Sequence, residues 1–264
     1  MNKFTPSLIA AFTLSLALPA AAEIRETGSY ASPEVAIATS QLDGGKTWVI
    51  FDIDNTLLQP KTMIGSHQWG DYMRDQKMAL GATREEAEAF QHAAFNEVQN
   101  VIPVGVTEKS VFPLINQLRS QGVPTMALTA RKVEAAARTL QQISGLGFDF
   151  SKTIPVLTSP DESIHNGAVF SGVTPKGIVL KRLIAASKVK PTKIIFFDDR
   201  AYNLESVEKE LADTEIEFIG FRYSYMDKAV AEFRGDIANV EWLCYKQTGK
   251  SISDREALEL VFSR

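Results

Sequence analysis

Two aspartates one residue apart, Asp52 and Asp54, end an apolar stretch in Trp48-Val49-Ile50-Phe51-Asp52-Ile53-Asp54-Asn55-Thr56-Leu57-Leu58. Carboxylates that close repel each other unless they share a proton or a cation lies between them. A hard divalent ion with oxygen ligands meets that need, and Mg²⁺ suits a site that offers few protein carboxylates. The run Trp48 to Phe51 reads as a strand buried on both faces, and ligands bind at the carboxyl edge of such a parallel sheet. A solvated turn would also favour Asp and Asn, but it needs neither the second carboxylate nor the Asp-x-Asp-x-Thr order.

Three further polar signals fall at the ends of other elements. Asp198-Asp199 closes the apolar run Ile194-Ile195-Phe196-Phe197, so a second acidic pair follows a second buried strand. Thr129, in Leu128-Thr129-Ala130-Arg131, offers a hydroxyl and neighbouring N–H groups at the start of a helix, a place that binds anions. Taken singly, Thr129 reads as a helix N-cap, and Lys176, in Val173-Thr174-Pro175-Lys176-Gly177, as a solvated lysine. Arg131 is a candidate substrate contact, whereas Arg200 reads as a surface residue. His67, Gln68, Trp69 and Tyr72 are further candidates, although the two aromatics read first as packing residues. His67, His92 and His165 are far apart and lack zinc-site spacing.

Alternating elements must carry these groups. Strands are expected at Trp48–Phe51, Pro124–Leu128, Thr153–Leu157, Lys193–Phe197 and Ile216–Phe221. Between them apolar residues recur at helical spacing: Val111, Leu114, Ile115 and Leu118; Val133, Ala136, Leu140 and Ile143; Leu180, Leu183, Ile184 and Ser187; Leu204, Val207 and Leu211. This alternation predicts an α/β, Rossmann-like, doubly wound parallel sheet. Residues of about 59–106 are too many for one crossover helix. Within them Thr83-Arg84-Glu85-Glu86 is a capping box ahead of Ala87, Phe90, Ala94 and Val98, and Ser66 caps a helix holding Trp69, Tyr72 and Met73. A small helical insert after the first strand is therefore expected to roof the site as a lid. Residues 23–45 read as an irregular N-terminal extension.

The chain has 264 residues, 45% of them hydrophobic, enough for one core with a small subdomain. Lys3, the apolar run Leu8 to Leu18 and Pro19-Ala20-Ala21-Ala22 read as a secretory signal peptide over residues 1–22, cleaved before Glu23. The run is too short to span a bilayer, so no stable membrane anchor is expected, and the address is periplasmic or extracellular. Loss of Lys3 takes the formal net charge from −4 to −5. No basic run suggests a nucleic-acid partner. Cys244, the single cysteine, excludes an internal disulfide and is expected to be buried.

Together, Asp52-x-Asp54-x-Thr56, Thr129, Lys176 and Asp198-Asp199 resemble the four motifs of the haloacid dehalogenase (HAD) superfamily, over about residues 46–221. The place of the insert resembles a C1-type cap. Ser66-His67-Gln68-Trp69, Ala127-Leu128-Thr129-Ala130-Arg131 and Phe197-Asp198-Asp199-Arg200 resemble a secreted bacterial, acid-phosphatase-like branch, a likeness that brings no substrate with it. The resemblance implies an HAD-like hydrolase domain over residues 46–264. Asp52 would be the nucleophile that forms an aspartyl-phosphate, and Asp54 the acid and then the base. Mg²⁺ would be bound by Asp52, the backbone carbonyl of Asp54 and the Asp198-Asp199 pair. Thr129, Ala130, Arg131 and Lys176 would hold the phosphate. A Mg²⁺-dependent phosphomonoesterase acting on a small phosphorylated substrate is thus expected. Phosphotransfer to an alcohol and a non-catalytic secreted binding protein of the same fold are the alternatives. Of Asp198 and Asp199 the direct ligand stays open, with Asp199 preferred because Asn203 lies four residues on. Lys176 is preferred to Lys181 because Gly177 beside it lets backbone approach closely.

Overall fold

Val49, Ile50 and Phe51 lose all contact with water because they lie in a central strand whose two faces are both covered by helices. The computed structural model describes residues 22–40 and 42–262. In it β2 (Thr47–Phe51) lies parallel between β8 (Lys193–Asp198) and β5 (Thr125–Thr129). Beyond β8 come β9 (Glu217–Tyr223) and β1 (Ala22–Thr27); beyond β5 come β7 (Ala168–Phe170) and β6 (Ile164–His165). All of these neighbours are parallel except β6 and β7. The protein is α/β with a mostly parallel central sheet, compatible with a Rossmann-like fold.

Both faces of the sheet are covered. On one, α1 (Pro33–Ala38), α4 (Val111–Ser120) and α5 (Ala136–Gly145) bring Val35, Leu114, Leu118 and Ile143 against Val49, Phe51 and Phe197. On the other, α6 (Lys176–Ala186) and α7 (Ala201–Leu211) bring Leu180, Leu183, Leu204 and Val207 against Trp48, Ile50 and Phe196. Rings stack across the strands, Phe51 on Phe197 at 5.2 Å and Phe197 on Phe221 at 4.9 Å, which fixes the register at the strand ends.

Between β2 and α4 the chain forms a two-stranded antiparallel ribbon, β3 (Leu58–Pro60) with β4 (Val104–Val106), and two helices, α2 (His67–Ala79) and α3 (Arg84–Gln99). Ser66 and Thr83 cap these helices, the latter with a complete capping box. After β9 come α8 (Asp227–Ala231), α9 (Gly235–Thr248) and α10 (Asp254–Phe262). Trp69 and Tyr72 do pack, but partly against this C-terminal part: Trp69 on Trp242 at 5.5 Å, Tyr72 on Phe233 at 5.6 Å.

Several expectations are corrected. Residues 23–45 are not irregular throughout: β1 pairs with β9 along its whole length, from Ala22 beside Phe218 to Thr27 beside Tyr223. As a half-exposed edge strand rich in Glu and Arg, β1 lacks the apolar run that marks the inner strands. Thr153–Leu157 is not a strand. Thr153 accepts one bond from Thr125 N–H (2.9 Å), but Pro155 has no N–H to continue the ladder, and the place beside β5 goes to β7. β6 turns into β7 through Asn166-Gly167, both at positive φ, a hairpin signal present in the sequence. Cys244 is half-buried. The expected signal peptide lies outside the described residues except for Ala22, where β1 begins.

Candidate active site

Sheet register does most of the assembly. Phe51 lies beside Phe197 on one side and Ala127 on the other, so the residues that follow β2, β8 and β5 emerge at one edge. Asp52 N–H donates to Phe197 carbonyl at 2.8 Å, which places Asp52 alongside Asp198. The chain then turns tightly: Leu57 and Leu58 N–H return to Ile53 carbonyl, and Asn55 adopts a left-handed φ of 58°. Asn tolerates that conformation better than most residues do. Tyr30, which a sequence reading passes over, supports this turn from beneath. Its hydroxyl donates to Thr56 carbonyl at 3.0 Å, and its ring stacks on Tyr223 at 4.5 Å.

Oxygens of Asp52, Asp198 and Asp199 lie within 4.8 Å of one another, and all three residues are buried. Lys176 reaches in from the first turn of α6 and bonds Asp52 Oδ1 at 2.5 Å and Asp198 Oδ2 at 2.7 Å. Its side chain is 1% exposed. Gly177 makes this approach possible, since a Cβ there would lie 2.1 Å from Ser206 carbonyl oxygen on α7. Lys181 points elsewhere, to Glu210 on the surface. Burial pushes the Asp52 carboxyl well above its usual range, against the pull of Lys176 and with the help of Asp198. The two facing carboxylates hold the Lys176 ammonium charged despite its burial.

The two adjacent aspartates differ. Asp198 has both oxygens occupied: Oδ2 by Lys176, Oδ1 by Arg200 N–H at 2.9 Å and Asn203 Nδ2 at 3.0 Å. Asn203 therefore serves Asp198, not Asp199. Asp199 receives only a long bond from Asn55 Nδ2 (3.3 Å) on Oδ2, and its buried Oδ1 has no partner among the described residues. Burial and the neighbouring Asp198 raise its carboxyl to about 7. A buried carboxylate oxygen left bare beside Asp52 is what a divalent cation would fill, so the donor set fits Mg²⁺. Arg200 is not a free surface residue, for it bridges Asp71 of α2 at 3.0 Å and stands 3.5 Å from Asp199.

Asp54 faces away from this cluster, toward the insert. Arg131 grips it with two bonds and is itself held by Gln142 (2.6 Å) and Thr139 (3.1 Å) of α5. Gln99, at the end of α3, completes the network with Gln142 at 2.9 Å and Gly65 carbonyl at 2.9 Å. Thr139 and Gln142 interrupt the apolar stripe of α5 at a spacing of three, the one sequence sign of this network. Thr129 does not begin a regular helix, because Lys132 is extended and a short 3-10 turn, Val133–Ala135, precedes α5. Instead its hydroxyl accepts the Arg131 N–H at 3.1 Å and closes a tight loop around Ala130. His67 and His92, 25 positions apart in sequence, line one cavity with Asp54.

An α/β protein with a carboxylate cluster, a buried lysine and an arginine-held aspartate at one sheet edge is thus defined. The chain belongs to the family described as "Protein of unknown function (DUF2608)", which matches residues 29–258. It is similar to a "Putative outer membrane protein" of Chlamydia trachomatis, at 27% identity over 81% of this chain and 82% of the relative. A protein of the same name from Chlamydia muridarum is 25% identical over 84% and 85%. An uncharacterized protein of Rickettsia prowazekii is 22% identical over 99% of both chains. No helix among the described residues is long and apolar enough to cross a membrane.

Proposed function

We propose that this protein is a secreted, Mg²⁺-dependent phosphomonoesterase of the HAD type, with the sheet as its core and α2–α3 as its cap. The observation that carries this reading is Lys176 bridging Asp52 and Asp198 while Asp199 keeps a bare, buried oxygen beside them. A charge arrangement of this kind suits a dianion approaching a carboxylate nucleophile. The apolar leader in residues 8–18 and the envelope names of the Chlamydia relatives support a periplasmic or extracellular address.

Asp52, the Asp54 carbonyl and Asp199 would hold the ion, with Asp198 orienting Lys176 beside it. When bound, Mg²⁺ supplies positive charge that lets Asp52 approach the phosphate. An Asp52 oxygen bonds phosphorus as the bond from phosphorus to the ester oxygen breaks, and Asp54, which has first taken up a proton from water, passes it to that oxygen. Water then attacks phosphorus, Asp54 takes its proton, and the bond to Asp52 breaks to release phosphate. Lys176 keeps Asp52 oriented, while Thr129 and the N–H of Ala130 meet the phosphate oxygens. Arg131 serves the site through Asp54. The test is the mature protein with Mg²⁺ and a chromogenic phosphomonoester: turnover that disappears in Asp52→Asn is expected, and no turnover would overturn the reading. Adding glycerol and comparing released phosphate with released leaving group separates hydrolysis from phosphotransfer.

A further inference from the structure

Beside Asp54, between the helices α2–α3 and the core, lies a cavity of about 80 Å³. His67, Gln91, His92, Phe95 and Asn96 line it from the helices and Lys132 from the core. Asp54 and Ala130 line the same cavity, the first being the proposed donor to the ester oxygen and the second a proposed phosphate contact, so the cavity adjoins the place where the ester oxygen leaves. Resting on the phosphomonoesterase reading, we propose that this cavity receives the leaving group and that the substrate is the phosphate ester of a small hydroxylated molecule, a polyol or sugar.

Size and wall chemistry carry the argument. The volume equals roughly the liquid share of three water molecules, room for a few heavy atoms before the group meets solvent. Gln91 and Asn96 each present a donor and an acceptor, as a neutral imidazole does, and a hydroxyl answers both. A carboxylate would offer them acceptors only, and an apolar group would leave them all unanswered, which is how polar sites reject such analogues. None of Gln91, His92, Asn96 and Lys132 spends its side chain on a hydrogen bond within the protein among the described residues, whereas the nearby Gln99 and Gln142 are fully committed. Burial also pushes both imidazoles below their ordinary value, so at neutral pH they can accept as well as donate. Phe95 adds one flat apolar wall, with the Arg131 guanidinium 5.7 Å from its ring centre.

Glycerol phosphate and propyl phosphate make the direct comparison, being alike in length and differing in hydroxyls. With the mature protein and Mg²⁺, kcat/KM is expected to favour glycerol phosphate by at least about 100-fold. Gln91→Leu and Asn96→Leu, both on half-exposed helix positions, should each cut that ratio by about 5- to 10-fold, with unchanged thermal melts. A ratio near one in the wild type, or an unaltered ratio in both variants, overturns the proposal. If nitrophenyl phosphate is turned over through Asp52 and no such preference exists, only this proposal falls. If no ester is turned over, the phosphomonoesterase reading falls and this proposal with it.

Discussion

Arg131 holds Asp54 with both arms of its guanidinium, Nη2 to Oδ1 at 2.7 Å and Nε to Oδ2 at 2.8 Å. The two side chains are 2% and 13% exposed, so this is a buried, bidentate pair and not a surface ion pair. Burial alone would raise the Asp54 carboxyl; the guanidinium outweighs it and holds the group below the usual carboxylate range. Asp54 therefore rests as a carboxylate whose orientation is set by α5 and by the end of α3.

Replacing Arg131 tests that arrangement. In Arg131→Gln, Asp54 keeps its burial and loses its cation, so its folded-state pKa rises. The first step needs Asp54 protonated, so the basic limb of the kcat/KM profile should move to higher pH. The rate at neutral pH should fall about 10²- to 10⁴-fold, the span attributed to a positioned acid or base. A pH–rate profile of both proteins checks it.

Asp54 and Asp199 should separate chemistry from metal binding. Asp54→Asn is expected to bind Mg²⁺ as the wild type does and to lose turnover, whereas Asp199→Asn should weaken the metal itself. Because burial and Asp198 raise Asp199 to about 7, a proton would compete with a bound ion there. Apparent Mg²⁺ affinity should fall about tenfold per pH unit below that value. Titration calorimetry at several pH values reads both effects.

Lys176 bridges two buried carboxylates at once. Lys176→Met should cost about 3–5 kcal/mol in denaturant melts, because charges are left uncompensated. Added Mg²⁺ should restore part of that loss if the ion fills the same acidic cluster. A loss that Mg²⁺ does not change would count against a metal site at Asp52 and Asp199.

Tyr30 joins the N-terminal segment to the turn after Asp54 through one hydrogen bond to Thr56 carbonyl. Tyr30→Phe keeps the ring stack and removes the bond. The expected cost is about 0.5–1.5 kcal/mol, measured by chemical denaturation.

Glu241 should contribute to the pH dependence of stability. Its Oε2 accepts Ile64 N–H at 2.9 Å, its Oε1 is buried without a partner among the described residues, and Asp254 beside it accepts Met63 N–H at 2.9 Å. Burial, then Asp254, pushes the Glu241 carboxyl up to about 9, from an ordinary 4.5. The group is protonated in the folded protein and ionised in the unfolded chain across that window. Its contribution is complete below about pH 4.5 and is lost progressively as pH rises toward 9. Tm should decline over that range, and Glu241→Gln should flatten the decline.

Much of the site is written locally. An apolar run buried on both faces followed by a polar residue marks a strand end, and three such ends, at Asp52, Thr129 and Asp198, could be read without coordinates. The capping box of α3 and the 3.6-residue stripes of α3, α4 and α7 are equally local. An edge strand of mixed polarity such as β1 becomes a strand only because β9 offers it a ladder. The strand expected at Thr153–Leu157 satisfied composition but not hydrogen bonding, since Pro155 cannot donate.

The sequence by itself determined which chemical groups stand at the strand ends and in what order, because strand and helix periods depend on near neighbours. Only the tertiary structure decided their partners. Arg131 meets Asp54 across 77 positions, Lys176 meets Asp52 across 124, and Asn203 serves Asp198 instead of Asp199. Those pairings follow from sheet register, from the close contact at Gly177 and from the hydrogen bonds that join the end of α3 to α5. No short stretch of sequence contains them, because each depends on where two distant elements come to rest.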